Sequence, residues 1–283
     1  MNELFGIDPE APTNLRDICE LIRLFDPSAG RFIANFPMEW KRDLRDYLGS
    51  RSDLDKKIAE EALINRLDHA LFPIKTQFNT KLPWHENALT LSKCEEISLL
   101  IGPARRCNNP VYPIDEVLAD PDAFPDSSGD WIEPTVQAYI KATLPILLVS
   151  RKVVLIDPYF SLDFCNKNKG KRKLLSMFLN TAIEGNQVEA FEIFYSPKKT
   201  ELIIEEQKKA LNQVLREVNL IKQIDVNIHS LDEKHPKQHD RFLLGLKSGL
   251  SFGYGFDVSR NRKKNQVSWV GKAVLTPLLE EFT

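Results

Sequence analysis

The chain has 283 residues, 42% of them hydrophobic, enough to bury the core of one large domain or two smaller ones. No run of eighteen apolar residues occurs, the opening MNELFGIDPEAPTN is neither basic nor apolar, and Cys19, Cys94, Cys107 and Cys165 make no CxxC pair. A transmembrane segment, a secretory leader, a disulfide framework and a zinc knuckle are therefore not expected, and the reading is a soluble cytoplasmic protein with reduced, mostly buried thiols. The net charge of −2 divides unevenly: residues 1–149 carry 16 Lys+Arg against 24 Asp+Glu, and residues 150–283 carry 22 against 16, so only the second part suits a phosphate-bearing partner.

Leu15, Ile18, Leu21, Ile22 and Phe25 recur at helical spacing behind Thr13 or Asn14 as a cap. A second helix is predicted over 37–48 and a third over 53–72, where the stripe from Leu54 to Leu71 is stopped by Pro73. Strands are predicted near 88–92 and 96–101, beside an irregular Pro-rich stretch. The segment DPDAFPDSSGD, ending at Asp130, reads as a linker, because Pro, Asp, Ser and Gly offer little to a core. It divides a mainly helical α+β domain, residues 1–125, from an α/β domain, residues 126–283.

In the second domain a helix over 133–149 leads into the strand-like KVVLIDPYF, and a basic loop, NKNKGKRK, precedes an apolar-periodic helix that Gly185 ends. The strand VEAFEIFYS, a helix through 198–219, the strand IDVNIHSL, the run HDRFLLGL and the strand LSFGYGF follow. This alternation predicts a mostly parallel sheet flanked by helices, with a final antiparallel pair across the turn at 247–249.

The chemistry concentrates in HPKQHDRFLLGLKSGLSFGYGFD, residues 235–257. Residues two apart on a strand share a face, so His239 and Arg241 would present an imidazole and a guanidinium together, a pairing suited to a phosphate. His235 and Lys237 form a second His-x-Lys, but Pro236 suits a loop, which would place them near the site. Asp157 ends its strand where ligands gather in α/β sheets, although Asp-Pro equally begins a turn. The NKNKGKRK loop and RNRKK at 260–264 are either solvated charge runs or a polyanion track. Neither His69 nor His85 has a second ligand at metal spacing, and no nucleotide-binding glycine loop is present, so no metal or cofactor is expected. Trp40, Trp84, Trp131 and Trp269 are dispersed and read as core or interface.

This pattern resembles one half of the phospholipase D superfamily, whose motif is His-x-Lys, four residues, Asp, six residues, Gly. His239 matches, Arg241 replaces Lys, Leu246 replaces Asp, and Gly253 returns to register. The HDR variant with Gly253, Gly255 and Asp257 is also similar to the phospholipase D-like C-terminal domains of MIT-domain proteins and to HDR-type domains of bacterial conflict and defence proteins. The resemblance implies metal-independent phosphodiester cleavage through a phosphohistidine, with His239 and Arg241 catalytic and Gly253 and Asn265 contributing to the site. Two histidines are needed and one motif is present, so an active form would be a homodimer acting on nucleic acid or another phosphodiester. The alternative is a non-catalytic phosphate-binding or scaffold subunit of a larger complex, with the N-terminal domain holding a partner protein. Loss of the Asp at Leu246 would remove an orienting hydrogen bond from the site.

Overall fold

A computed structural model describes residues 3–50, 61–103, 111–119, 129–163, 169–218, 224–231, 240–258 and 264–282. The chain divides into two compact units, Asn2–Asp126 and Ser127–Thr283. Both are α/β.

In the first unit β1 (Glu3–Ile7), β2 (Arg31–Ala34), β3 (Leu71–Phe72), β4 (Leu99–Gly102) and β5 (Val111–Pro113) form one sheet in the order β3-β2-β1-β4-β5, every pairing parallel. This unit holds more sheet than its helix-dominated sequence suggests. Its strands are two to five residues long, too short for alternation to register, and apolar runs buried on both faces show no period. The helix Leu15–Leu24 is capped by Asn14, whose side chain accepts from the N–H groups of Arg16 and Asp17, and it buries Ile18, Leu21 and Leu24. Helix Trp40–Gly49 turns Trp40, Leu44 and Leu48 inward, and the Trp40 indole donates to the Ile7 carbonyl at 2.5 Å. Residues 88–92, expected as a strand, lie inside the helix Trp84–Cys94. Trp84, Ala88 and Leu91 are spaced four and three apart, a helical stripe that packs inward. Only the end of the expected third helix is described, running into a short 3-10 turn at Asn65–His69.

In the second unit the sheet order is β6-β12-β11-β10-β7-β8-β9. The strands β7 (Lys152–Ile156), β8 (Ala190–Tyr195) and β9 (Asp225–Ser230) are parallel, joined through the helices Lys169–Gly185 and Ile204–Glu217. Next to β7 the direction reverses: β10 (Phe242–Gly245), β11 (Gly249–Phe252), β12 (Asn265–Trp269) and the edge strand β6 (Asp130–Ile132) follow one another antiparallel. One face packs under the helices Val136–Val149, Lys169–Gly185 and Ile204–Glu217, burying Tyr139, Leu155, Phe178, Leu243 and Phe252. The other face packs Val154, Ile156, Leu244 and Val270 against the helix Lys272–Phe282.

Among the described residues no helix is long and apolar enough to cross a membrane. The thiols of Cys19 and Cys94 are exposed, contrary to the expected burial, because each follows the apolar stripe of its helix onto the solvent side.

Candidate functional site

The site is a consequence of strand direction. Register pairs Phe242 with Ile156, so Arg241, entering β10, stands opposite Asp157, leaving β7. The Arg241 Nε lies 3.8 Å from Asp157 Oδ1, its Nη1 donates to the Gly253 carbonyl at 3.2 Å, and its guanidinium carbon sits 5.0 Å from the centroid of the Tyr159 ring. Three restraints thus hold one side chain that keeps 22% of its surface in solvent. A carboxylate and an aromatic face thus fix the cation at the end of β7.

Asp157 is 1% exposed. Oδ1 accepts from the Tyr159 N–H at 2.9 Å and Oδ2 from the Phe256 N–H at 3.1 Å, so the carboxylate makes the turn after β7 and also pins the 253–257 loop. Burial pushes its pKa above the ordinary 3.8, against the opposing pull of the Lys171 charge, the two N–H donors and the Arg241 charge. The Tyr159 N–H bond is the turn that Asp-Pro begins. The Asp157 oxygens are inside, against the two N–H groups and Arg241.

Asn265 is buried in the same way. It is 1% exposed, Oδ1 accepts from the Tyr254 N–H at 2.8 Å, and Nδ2 donates to the Tyr139 hydroxyl at 2.9 Å and the Gly255 carbonyl at 2.8 Å. Its polar atoms are used in fastening the loop, which leaves none for a ligand. Gly253 is exposed, with its N–H on the Gln266 carbonyl and its own carbonyl on Arg241. His235, Lys237 and His239 lie outside the described residues.

Sequence reasoning missed three supports. Lys171, in the segment read as a basic loop, is 6% exposed and lies in the first turn of the helix Lys169–Gly185; its ammonium donates to the Tyr159 carbonyl at 2.6 Å and pairs with Asp257 at 2.9 Å. Tyr139 donates its hydroxyl to the Gly255 carbonyl at 2.9 Å. Phe256 anchors the loop among Phe252, Tyr139, Phe178 and Phe160, with ring centroids 4.5 to 6.5 Å apart, each pair adding about 0.5–1.5 kcal/mol. Gly255 has φ +71°, and a Cβ there would come within 2.6 Å of both Arg241 Cδ and Asp157 Oδ2. Only glycine allows the loop to press on the ion pair. The GxGxD spacing was the available signal for this turn.

Leu246 is the largest departure from expectation. It follows β10 at the end opposite Arg241, roughly 16 Å along the strand, and is 45% exposed. An Asp at that position would stand too far along the strand to orient Arg241. Of the basic stretches, Lys171 is buried, Arg172 is turned onto the Asp163 carbonyl, Lys264 pairs with Glu133, and Lys169 and Lys173 are exposed. Among the described residues no group of His, Cys, Asp and Glu has the arrangement of a metal site.

No family model matches the chain, and no curated protein does. Among solved structures, TrmBL2, an archaeal chromatin protein whose structure is described as showing a novel mode of DNA binding, aligns over 59% of this chain and 55% of its own. The TM-score is 0.32 and the identity 12%, a likeness too low to carry an argument about fold or function.

Proposed function

We propose that the second unit recognises a phosphodiester through Arg241 and cleaves it through His239 without a metal. The observation carrying this reading is the guanidinium held at the end of β7 by Asp157 and Tyr159, partly open to solvent. Arg241 would supply paired donors to two non-bridging oxygens. His239 stands two residues before it in sequence, the spacing that puts both on one side of an extended chain. In the reaction a His239 nitrogen attacks phosphorus, the bond to the leaving oxygen breaks, and His239 of a second copy protonates that oxygen; water then hydrolyses the phosphohistidine and the first nitrogen is released. A homodimer on nucleic acid fits the positive second half of the chain.

Purified protein is assayed on single- and double-stranded DNA and RNA with EDTA present, beside His239→Ala, with light scattering on the same samples. Cleavage that survives EDTA and disappears in the variant supports the reaction; equal turnover by both proteins, or activity from a strict monomer, removes it. A second reading, phosphate recognition without turnover, is favoured by the engagement of Arg241 with the Gly253 carbonyl and by the single His-x-Arg motif. Binding weakened by Arg241→Ala, in a wild type that cleaves nothing, would select it.

A further inference from the structure

Among the described residues, the helix Lys272–Phe282 covers one end of the sheet face that carries it. Alternation puts Leu244, Gly249 and Val270 under that helix, where a Cβ on Gly249 would meet Leu275 at 3.1 Å. Continuing along the same strands toward Arg241, the same-face positions are Asp240 and Phe242 on β10 and its approach, Ser251 and Gly253 on β11 and its exit, and Ser268 and Gln266 on β12. These residues, with Arg241 and Phe252, line an open groove of about 330 Å³. Its cross-strand rows are set by register, Phe242 beside Ser251 beside Ser268, and Gly253 beside Gln266. Gln266 is in turn directly opposite Trp131 on edge strand β6, so the indole shares this face, and it is 55% exposed.

We propose that this groove takes the nucleoside part of a nucleotide whose phosphate is held by Arg241; the inference rests on the phosphate reading above and names its ligand class. Gly253 is the shared boundary, since it lines the groove and its carbonyl receives Arg241 Nη1. Hydroxyls, an amide and a carboxylate along the walls match a heterocycle and a sugar, whereas an acyl chain would leave them without partners. The Asp240 carboxylate lines the same groove and repels a second phosphate. The Trp131 indole, at the outer edge of an exposed strand, supplies the face for base stacking.

Two fluorescein-labelled probes of equal phosphate number separate the parts: a short oligothymidylate and its abasic counterpart, titrated against the full chain by anisotropy. Trp131→Ala is expected to weaken oligothymidylate binding about 5- to 150-fold while changing abasic binding less than about twofold, with Trp131→Phe restoring most of the loss. Gln266→Ala should shift the same probe in the same direction. Arg241→Ala is expected to weaken both probes. If Trp131→Ala leaves oligothymidylate unchanged, or weakens both probes alike, while Arg241→Ala still weakens both, the groove assignment is overturned and the phosphate reading stands. If Arg241→Ala changes neither probe, the phosphate reading fails, and the groove assignment with it.

Discussion

Each unit ends a central strand in the same tripeptide, Ile7-Asp8-Pro9 after β1 and Ile156-Asp157-Pro158 after β7. In both, the carboxylate folds back on its own chain: Asp8 accepts from the Glu10 N–H and Asp157 from the Tyr159 N–H, each at 2.9 Å. Both are buried, at 5% and 1% exposure. What differs is the neighbouring strand. β1 is flanked by parallel strands on both sides, which finish alongside it, whereas β7 has antiparallel β10 on one side, which starts where β7 stops. An incoming arginine is delivered to the second carboxylate by topology alone. A local signal that reads as a turn in one sheet becomes part of an ionic site in the other.

The largest effect should come from Asp157→Ala, which leaves two N–H donors without their acceptor and the Arg241 charge without its paired carboxylate. A stability loss of about 3–5 kcal/mol is expected by urea unfolding; a loss below about 1 kcal/mol would reduce Asp157 to the turn-making role shared with Asp8. Asn265→Ala should follow at about 2 kcal/mol, read as a fall in Tm of about 4–8 °C, because the loop over the ion pair loses three hydrogen bonds. An unchanged Tm would show that the loop is held by Phe256 and its ring contacts alone.

The pH dependence is smaller and has a fixed sign. Folded Asp157 holds its proton above 3.8 because it is buried, so its ionisation costs stability: the cost is absent below the unfolded pKa, grows as pH rises to the raised folded value, and is complete beyond it. Asp157→Asn cannot ionise and should gain on wild type with rising pH, measured by urea unfolding from about pH 3 to 7. A difference that narrows instead would mean that Lys171 and Arg241 outweigh burial.

The smallest effect belongs to Leu246→Asp, expected within about 0.5 kcal/mol of wild type and with unchanged oligonucleotide affinity, since the position is exposed at the far end of β10. Tighter binding in that variant would restore the position to the site.

The α/β class of the second unit was legible because KVVLI, AFEIFY and the helical stripe through Leu174, Leu175 and Phe178 are long enough to show their periods. The edge strand at Asp130–Ile132 was not, since three residues at the end of an Asp-, Pro- and Ser-rich linker carry no alternation. The same brevity hid β1, β2 and β5. For the site, Arg241 and Asp157 could be named from residue type and strand position, but their contact depends on which strands are neighbours, a property of the whole sheet. Lys171 was hidden by its surroundings: one lysine of a charged run is buried because Asp257 and the Tyr159 carbonyl meet it, and neither lies near it in sequence. Asn265 looked available for the opposite reason, because polar residues buried for loop anchoring have the composition of a surface.

The salt dependence of oligonucleotide affinity tests the role of Arg241 most directly. With wild type and Arg241→Gln titrated against one single-stranded probe over a range of salt, the variant's slope of log K on log salt is expected to be shallower by about 0.7, the share of one phosphate contact. Equal slopes, with affinity unchanged at every salt concentration, would contradict a phosphate at Arg241 and leave its pairing with Asp157 as a purely structural feature of the β7–β10 junction.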